Sequence, residues 1–271
     1  MLHRRLFPLA RTLIRLGYFS FEVEGLEHVP RSGRAVYAQN HAGWFPFDAF
    51  FMMYGLDREF GPERLPFFAT HEAALSAPAL GQLMRRSGAL PASWFRRPER
   101  LPPEAESVAI FPEGVRGNTK PFWQAYRMRD WNRGFVRCAI ARAAPIIPAA
   151  IMGGEECVPV AWTVRFLEPV IGSQLGMPLA PVPLPARWKI VFHEPVHVAG
   201  KGAVTDAEFC TRVAREVQAT VQATLDRHAP AWRLGRLASA VAAAKGPRAV
   251  AAPRADDLDD PLDDGEPAKT G

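Results

Sequence analysis

The sequence predicts an α/β domain with a mixed, largely parallel sheet flanked by helices. The first observation is a set of short, nearly continuous apolar runs, which are Ala35–Gln39, Ser107–Phe111 and Ile146–Ile151. Such runs are typical of strands buried on both faces of a parallel sheet. The second observation is a set of helical patterns between and after these runs, which are Pro46–Leu56, Arg133–Ala143 and Thr205–His228. Strands that alternate with helices indicate the α/β class.

The composition fits one such domain with appendages. The 271 residues are 48% hydrophobic and 23% charged, which excludes a wholly disordered chain and a coiled coil. The formal net charge is +5, but residues 256–266 hold seven acidic and no basic side chains, so residues 1–255 carry a net charge of +11. The basic part contains no recognisable nucleic-acid-binding motif, and we therefore expect no nucleic-acid partner.

Cysteine and histidine patterns give no reason to expect a metal. Cys138, Cys157 and Cys210 have no close partner in sequence, which argues against a disulfide framework and a cysteine metal site and favours a reducing compartment. His193-Glu194-Pro195-Val196-His197 matches the zinc motif H-E-x-x-H, which requires a helix. Pro195 and the alternating pattern of Trp188–Val198 predict a strand instead, so the two histidines would lie too far apart to share one ion.

The chain divides into three segments. The pattern of residues 1–20 predicts a basic amphipathic helix that associates with a membrane. We expect residues 21–232 to form the folded domain and residues 233–271 to form a disordered tail that ends in the acidic run. The helix has a leucine stripe, which consists of Leu2, Leu6, Leu9, Leu13 and Leu16. Packing of this stripe on the domain is the alternative to membrane binding, and the sequence leaves both open. No apolar stretch approaches the length that spans a bilayer.

The first candidate site follows the run Ala35–Gln39. His41 comes after the end of a predicted buried strand, and Asp48 falls in the first turn of the next predicted helix. A carboxylate beside an imidazole fixes its tautomer, so His41 could take a proton from a hydroxyl group as a general base. Trp44 and Phe45 lie in the connecting loop, where we expect them to contact an acyl chain or a membrane.

The second candidate site follows the run Ser107–Phe111. The segment Phe111-Pro112-Glu113-Gly114-Val115-Arg116 is followed closely by Lys120. Ligands of open parallel sheets bind outside the carboxyl ends of the strands, so the two sites would face one crevice if their strands are parallel neighbours. Arg116 would then be a phosphate clamp. Gly114 would allow a tight turn, and Glu113 would orient Arg116 or a substrate hydroxyl.

These segments resemble the glycerolipid acyltransferases, in particular the 1-acylglycerol-3-phosphate and lysophospholipid acyltransferases. The resemblance is carried by Asn40-His41 with Asp48, by residues 111–116 and by the segment 144–150, in the order found in that family. It implies acyl transfer from an acyl-CoA or acyl-carrier-protein thioester to a lipid hydroxyl, with no metal or cofactor. It implies that His41 and Asp48 are catalytic. It also implies a peripheral protein on the cytoplasmic face of a membrane, and a substrate-binding set of Asn40, Phe111, Pro112, Glu113, Gly114, Arg116 and Lys120.

Two departures from the family pattern leave the acceptor open. Six residues separate His41 from Asp48 where the family usually has four, so the chain from Ala42 to Phe45 must loop to bring the two side chains together. The arginine expected soon after Gly88–Ser93 is also not cleanly placed. The acceptor is therefore a lysophospholipid, or a neutral lipid such as diacylglycerol or a long-chain alcohol. A catalytically idle lipid-binding protein of the same fold is the third hypothesis.

Overall fold

A seven-stranded sheet forms the centre of the molecule. The computed structural model describes residues 2–43, 45–166, 168 and 174–245. The sheet has the strand order β1-β9-β6-β2-β5-β3-β4, and β7 and β8 form a separate pair. The strands are β1 (Phe19–Glu24), β2 (Ala35–Gln39), β3 (Phe67–Thr70), β4 (Ala89–Pro91), β5 (Ser107–Ile110), β6 (Ile146–Met152), β7 (Val160–Val164), β8 (Leu175–Pro178) and β9 (Ala186–Phe192).

The sheet is mixed and largely parallel, which confirms the predicted fold class. β2 pairs in parallel with both β5 and β6, and β3 pairs in parallel with β4 and β5. β9 is parallel to β1 but antiparallel to β6. Every residue of β2, β5 and β6 is buried, because helices cover both faces of the sheet at these central strands.

Helices pack on both faces of the sheet. They are α1 (Phe7–Arg15), α2 (Phe47–Phe60), α3 (Glu72–Ser76), α4 (Leu80–Arg86), α5 (Ala92–Arg96), α6 (Val115–Asn118), α7 (Gly134–Ala141), α8 (Gly154–Cys157), α9 (Ala207–His228) and α10 (Arg233–Lys245). One apolar cluster contains α1 and α2, for example Phe7 and Phe51, and a second contains α7 and α9, for example Phe135 and Val217. Among the described residues, no helix has both the length and the apolar character needed to cross a bilayer.

The H-E-x-x-H segment lies outside any helix. β9 ends at Phe192, so the strand predicted over Trp188–Val198 is shorter than expected. His193 lies in the following loop, where its Nε2 is 3.2 Å from the hydroxyl of Thr224. In the part of the chain that the structure describes, no group of three or more His, Cys, Asp or Glu side chains is arranged to hold a metal ion.

The N-terminal segment packs on the domain with one face and exposes most of its leucine stripe. Residues Leu2–Leu6 form a 3₁₀ turn, which shifts the register of the stripe before α1 begins. Phe7 and Ala10 are buried against the domain. Leu6, Leu9 and Leu16 are exposed to solvent. Packing on the domain is thus observed for Phe7 and Ala10, and membrane binding by the exposed leucines stays a prediction.

The C-terminal segment corrects the prediction of a disordered tail from residue 233. Residues Arg233–Lys245 form α10, whose alanines favour a helix and whose Ala238 is buried. The helix is fixed at its start, where the Leu234 N–H donates to Glu156 Oε1 at 2.7 Å. Alanine-rich turns bury little area per residue, and for this reason the apolar pattern was too weak to predict a helix. Residues 246–271, including the acidic run, lie outside the described residues.

Candidate active site

His41 lies at the edge of the sheet where the parallel strands β2 and β5 end. The register pairs Ala38 of β2 with Ile110 of β5, so the two loops that follow these strands emerge side by side. The two candidate segments thus lie at one edge of the sheet, where ligands of open parallel sheets bind. Asn40 fixes the first loop, because its amide nitrogen donates to the Ile151 carbonyl at 2.9 Å and its oxygen accepts the Ile151 N–H at 2.7 Å.

His41 and Asp48 form a close hydrogen-bonded pair. The imidazole Nδ1 lies 2.6 Å from Asp48 Oδ2. Asp48 is fully buried, and its oxygens also accept the main-chain N–H groups of Ala42 at 3.0 Å and Ala49 at 2.7 Å. An ionised carboxylate only accepts hydrogen bonds, so Nδ1 carries the proton of the neutral ring. Nε2 is then left with its lone pair, as a general base requires.

A second buried carboxylate holds the loop that carries His41. Glu113 Oε1 accepts the main-chain N–H of His41 at 3.0 Å, and Glu113 Oε2 accepts the main-chain N–H of Arg129 at 2.7 Å. Phe111 supports the imidazole from one side, with the ring centroids 4.2 Å apart and the planes stacked. These contacts fix both the main chain and the ring of His41.

Lys120 is buried between two carboxylates. Its Nζ lies 3.4 Å from Glu113 Oε2 and 3.6 Å from Glu155 Oε1. Glu155 also accepts the main-chain N–H of Tyr126 at 3.2 Å. Burial raises the pKa of Glu155, and the positive charge of Lys120 opposes this shift. Glu155 belongs to α8, which follows β6, so this network ties the ends of three strands together.

The loop after His41 makes a close main-chain contact with the turn after β6. Gly43 has φ +82°, and a Cβ atom there would lie 2.4 Å from the Gly154 carbonyl oxygen. A Cβ atom on Gly154 would lie 2.4 Å from the Ala42 carbonyl oxygen. Only glycine at both positions allows this approach. The contact holds the start of the loop between His41 and Asp48 against the turn after β6.

Three arginines lie close together near His41 and Asp48. Arg116 is exposed on α6, and Arg129 is joined through its main chain to Glu113 and through its guanidinium to Gln124. Arg165 follows β7, which is attached to the same region because the Thr163 hydroxyl donates to the Thr119 carbonyl at 2.6 Å. Burial and the nearby charges of Arg165 and Arg116 lower the pKa of Arg129, while Glu113 opposes this shift. Like charges gathered at a crevice favour an anionic ligand.

Comparisons with known proteins identify the domain. Residues 20–152 match the family model described as Acyltransferase. Residues 20–152 therefore form a domain that is similar to this acyltransferase family. The match contains both halves of the crevice, from the His41 loop to the Glu113 segment and β6. An uncharacterized protein of Mycobacterium tuberculosis strain H37Rv is 34% identical over 233 residues, which cover 81% of this chain and 64% of that protein.

Two further relatives of this acyltransferase domain have named activities. The 1-acyl-sn-glycerol-3-phosphate acyltransferase of Limnanthes alba is 29% identical over 167 residues, which cover 55% of this chain and 54% of that protein. The solved structure of the 1-acyl-sn-glycerophosphate acyltransferase PlsC of Thermotoga maritima superposes with a TM-score of 0.56. It is 15% identical and covers 85% of this chain and 80% of its own. At this identity the likeness shows a shared fold.

The structure separates the predicted substrate-binding residues of the acyltransferase domain into two groups. Arg116 and Gly114 are exposed at the crevice, and Phe111 is half-buried against His41. The others, which are Asn40, Pro112, Glu113 and Lys120, are buried and bonded to protein groups. These four residues support the loops of the site, and their contact with substrate stays a prediction. Phe45 is partly exposed, and Trp44 lies outside the described residues.

Four residues of the acyltransferase site were missed by the sequence analysis, namely Arg129, Arg165, Gly154 and Glu155. Gly154 and Glu155 directly follow β6, a buried strand that the sequence does predict. Because β6 is a parallel neighbour of β2, the rule that sites form at carboxyl ends of strands could have found them. Arg129 and Arg165 lie in irregular loops and carry no pattern that marks them.

Proposed function

We propose that the protein transfers a fatty acyl group from an acyl thioester to a hydroxyl of an anionic glycerolipid, with lysophosphatidate as the simplest acceptor. The observation that carries the proposal is the 2.6 Å pairing of His41 Nδ1 with buried Asp48 beside the cluster of Arg116, Arg129 and Arg165. The thioester is an acyl-CoA or an acyl-carrier protein. The proposed reaction uses no metal or cofactor.

In the proposed mechanism His41 acts as general base and then as general acid. Its Nε2 takes the proton of the acceptor hydroxyl, and the oxygen attacks the thioester carbonyl carbon. The C–S bond then breaks, and the thiolate takes the proton back from the imidazolium. Asp48 stabilises the imidazolium between the two proton transfers, because its buried charge lies next to Nδ1. The products are an ester and a free thiol.

The arginine cluster favours an anionic acceptor over a neutral one. Guanidinium groups bind phosphate with paired, charge-assisted hydrogen bonds. Arg129 keeps its charge in a partly buried position next to two like charges, an arrangement that an anion in the crevice would stabilise. The names of the Limnanthes and Thermotoga relatives specify glycerophosphate acceptors, which agrees with this choice.

We also propose that the protein works as a peripheral protein on the cytoplasmic face of a membrane. The exposed leucines of the N-terminal segment, Leu6, Leu9 and Leu16, lie among four arginines and no acidic residue. Such a surface suits the boundary of an anionic bilayer. The three cysteines are free thiols, as expected in a reducing compartment. Both substrates in the proposed reaction carry acyl chains, so a site at the bilayer surface would receive them directly.

The proposal is tested by following thiol release and ester formation with long-chain acyl-CoA and a panel of acceptors. The panel contains lysophosphatidate, other lysophospholipids, diacylglycerol and a fatty alcohol, and His41→Ala is the matched inactive variant. We expect ester formation with phosphorylated acceptors that is lost in the variant. Ester formation with only the neutral acceptors would overturn the acceptor class. Absence of any His41-dependent product, with acyl-CoA and with acyl-carrier protein, would favour the lipid-binding hypothesis instead.

A further inference from the structure

A long stretch of the domain is almost free of charge. Residues 158–186 contain two charged side chains, Arg165 and Glu168, although 23% of the whole chain is charged. The stretch includes β7 and β8 and the proline-rich segment 179–185 that leads into β9. A segment of this composition normally lies in a protein core or against an apolar partner.

Several large apolar side chains of this stretch are exposed to solvent. Trp162 is 58% exposed and Phe166 79% exposed. In the β7–β8 ladder Trp162 pairs with Met177 and Val164 with Leu175, which places these side chains on one face. We call the exposed set the β7–β8 surface, and its members are Trp162, Phe166, Leu175, Met177, Leu179 and Val182.

The β7–β8 surface lies at the same edge of the sheet as His41. β6 runs parallel to β2, and β9 runs antiparallel to β6, so β9 begins at the edge where β2 and β6 end. The segment before β9 is fixed there by two main-chain bonds, from Leu179 N–H to the Pro159 carbonyl and from Leu184 N–H to the Cys157 carbonyl, both 2.7 Å long. Residues between these two anchors project outward, including Val182, which is 60% exposed.

The β7–β8 surface continues into the N-terminal segment. The Tyr18 hydroxyl donates to the Pro183 carbonyl at 2.6 Å, which joins the end of the N-terminal segment to the segment before β9. Tyr18 and Leu16 are themselves exposed. The first 21 residues carry four arginines and no acidic residue, so the apolar surface adjoins a segment of net positive charge. An anionic bilayer complements both properties together.

We propose that the β7–β8 surface is a second membrane-docking element, which inserts its tryptophan and phenylalanine into the bilayer boundary beside the active site. The indole of Trp162 has a polar N–H and favours that boundary, whereas the apolar ring of Phe166 suits its acyl-chain side. A second copy of the chain fits this face less well, because its arginines would meet like charges. The inference rests on the proposed membrane-surface reaction and adds a contact that the N-terminal segment does not supply.

Site-specific labelling tests the inference. The native thiols of Cys138, Cys157 and Cys210 are buried, and burial raises the pKa of Cys138 and Cys157 to about 12. An introduced exposed cysteine therefore reacts first with an environment-sensitive thiol dye. The test variants are Phe166→Cys and Val182→Cys. Leu9→Cys reports on the N-terminal segment, and Ser32→Cys is the control, because Ser32 is exposed in the loop at the opposite edge of the sheet.

Vesicles of phosphatidylglycerol and phosphatidylethanolamine are added to each labelled protein. We expect a blue shift and quenching by nitroxide lipids at positions 166, 182 and 9, and no change at position 32. A response at position 9 without one at 166 and 182 would overturn the second docking element and leave the proposed membrane location intact. No response at any position would overturn both. A fluorescence change at position 166 that depends on protein concentration in the absence of vesicles would show instead that the surface binds a second copy of the chain.

A kinetic readout complements the labelling. The double variant Trp162→Ser/Phe166→Ser removes two apolar side chains from the surface, so we expect vesicle affinity and the rate on vesicle-borne lysophosphatidate to fall about tenfold or more. The rate on a short-chain acceptor below its critical micelle concentration should stay unchanged, because the active site is untouched. Equal losses with both acceptors would indicate a structural role and contradict the inference.

Discussion

The His41–Asp48 pair and the arginine cluster lie at the same edge of the sheet, but the protein holds them in opposite ways. Asp48 is fully buried, and each of its oxygens accepts a hydrogen bond from the main chain or from His41. Arg116 and Arg165 are exposed, and with Arg129 they bring three like charges together. The first region forms its hydrogen bonds within the protein, whereas under the proposed function the second region would be stabilised further by an anionic acceptor.

This difference predicts a division of the kinetic constants. A group that is fixed before substrate arrives acts on the chemical step, so its loss should lower kcat. A group that the ligand stabilises acts on binding, so its loss should raise KM for that ligand. Four substitutions test this difference between the two regions, and they are described in order of decreasing expected effect.

Asp48→Asn should have the largest effect on the reaction. The amide keeps the shape of the side chain, but it cannot stabilise the imidazolium and it allows the wrong tautomer of His41. We expect kcat to fall by roughly 10²- to 10⁴-fold with KM for lysophosphatidate nearly unchanged. Steady-state kinetics of thiol release measures both constants. A fall in kcat of less than threefold would show that the 2.6 Å contact has no catalytic role.

Lys120→Met should have the largest effect on stability. It leaves Glu113 and Glu155 buried without their shared cation, which should lower the free energy of unfolding by about 3–5 kcal/mol. Chemical denaturation monitored by circular dichroism measures the change. Lys201→Met is the control, because Lys201 is exposed in the loop before α9. Equal stability of the two variants would contradict the supporting role assigned to Lys120.

Gly43→Ala tests the close approach that folds the loop between His41 and Asp48. Gly33→Ala is a matched control, because Gly33 has φ +79° and open space around its Cβ position, whereas Gly43 has φ +82° and the Gly154 oxygen at 2.4 Å. The positive φ alone should destabilise each variant by about 1–2 kcal/mol. The clash should add about 1–3 kcal/mol in Gly43→Ala alone and lower its kcat. Thermal unfolding and steady-state thiol release are measured for both variants. Equal stability and equal kcat of Gly43→Ala and Gly33→Ala would contradict the expected clash.

Arg129→Gln should have the smallest effect and should appear in KM. The substitution keeps the main-chain N–H that binds Glu113, so the loop stays in place. We expect KM for lysophosphatidate to rise about tenfold, with kcat and the response to a neutral acceptor unchanged. Arg31→Gln is the control, since Arg31 is exposed at the opposite edge of the sheet. A fall in kcat with an unchanged KM would place Arg129 with the catalytic pair.

The parts of the fold and site that the sequence predicts are those with a local signal. The buried runs at β2, β5 and β6 predict the sheet, and the residues directly after them predict the pairing of His41 with Asp48. The helix at Arg233–Lys245 escaped prediction because its alanines bury little surface.

Other features depend on contacts between segments distant in sequence. Nothing local shows that Glu113 faces the main chain of His41, 72 residues away, instead of a substrate. Arg165 joins Arg116 because β7 is attached beside α6, and Arg129 joins them because its main-chain N–H donates to Glu113. Long-range hydrogen bonds of this kind decide which motif residues remain accessible. The sequence therefore predicts the His41–Asp48 pair better than it predicts the residues around it.

The most direct test of the central claim compares two acceptors that differ in one phosphate. Wild-type protein is given long-chain acyl-CoA and either lysophosphatidate or the monoacylglycerol with the same acyl chain, in otherwise identical vesicles, and ester formation is measured by mass spectrometry. The account predicts ester formation with lysophosphatidate at a kcat/KM at least about tenfold higher than with monoacylglycerol. Equal values for the two acceptors, or no ester with either, would contradict it.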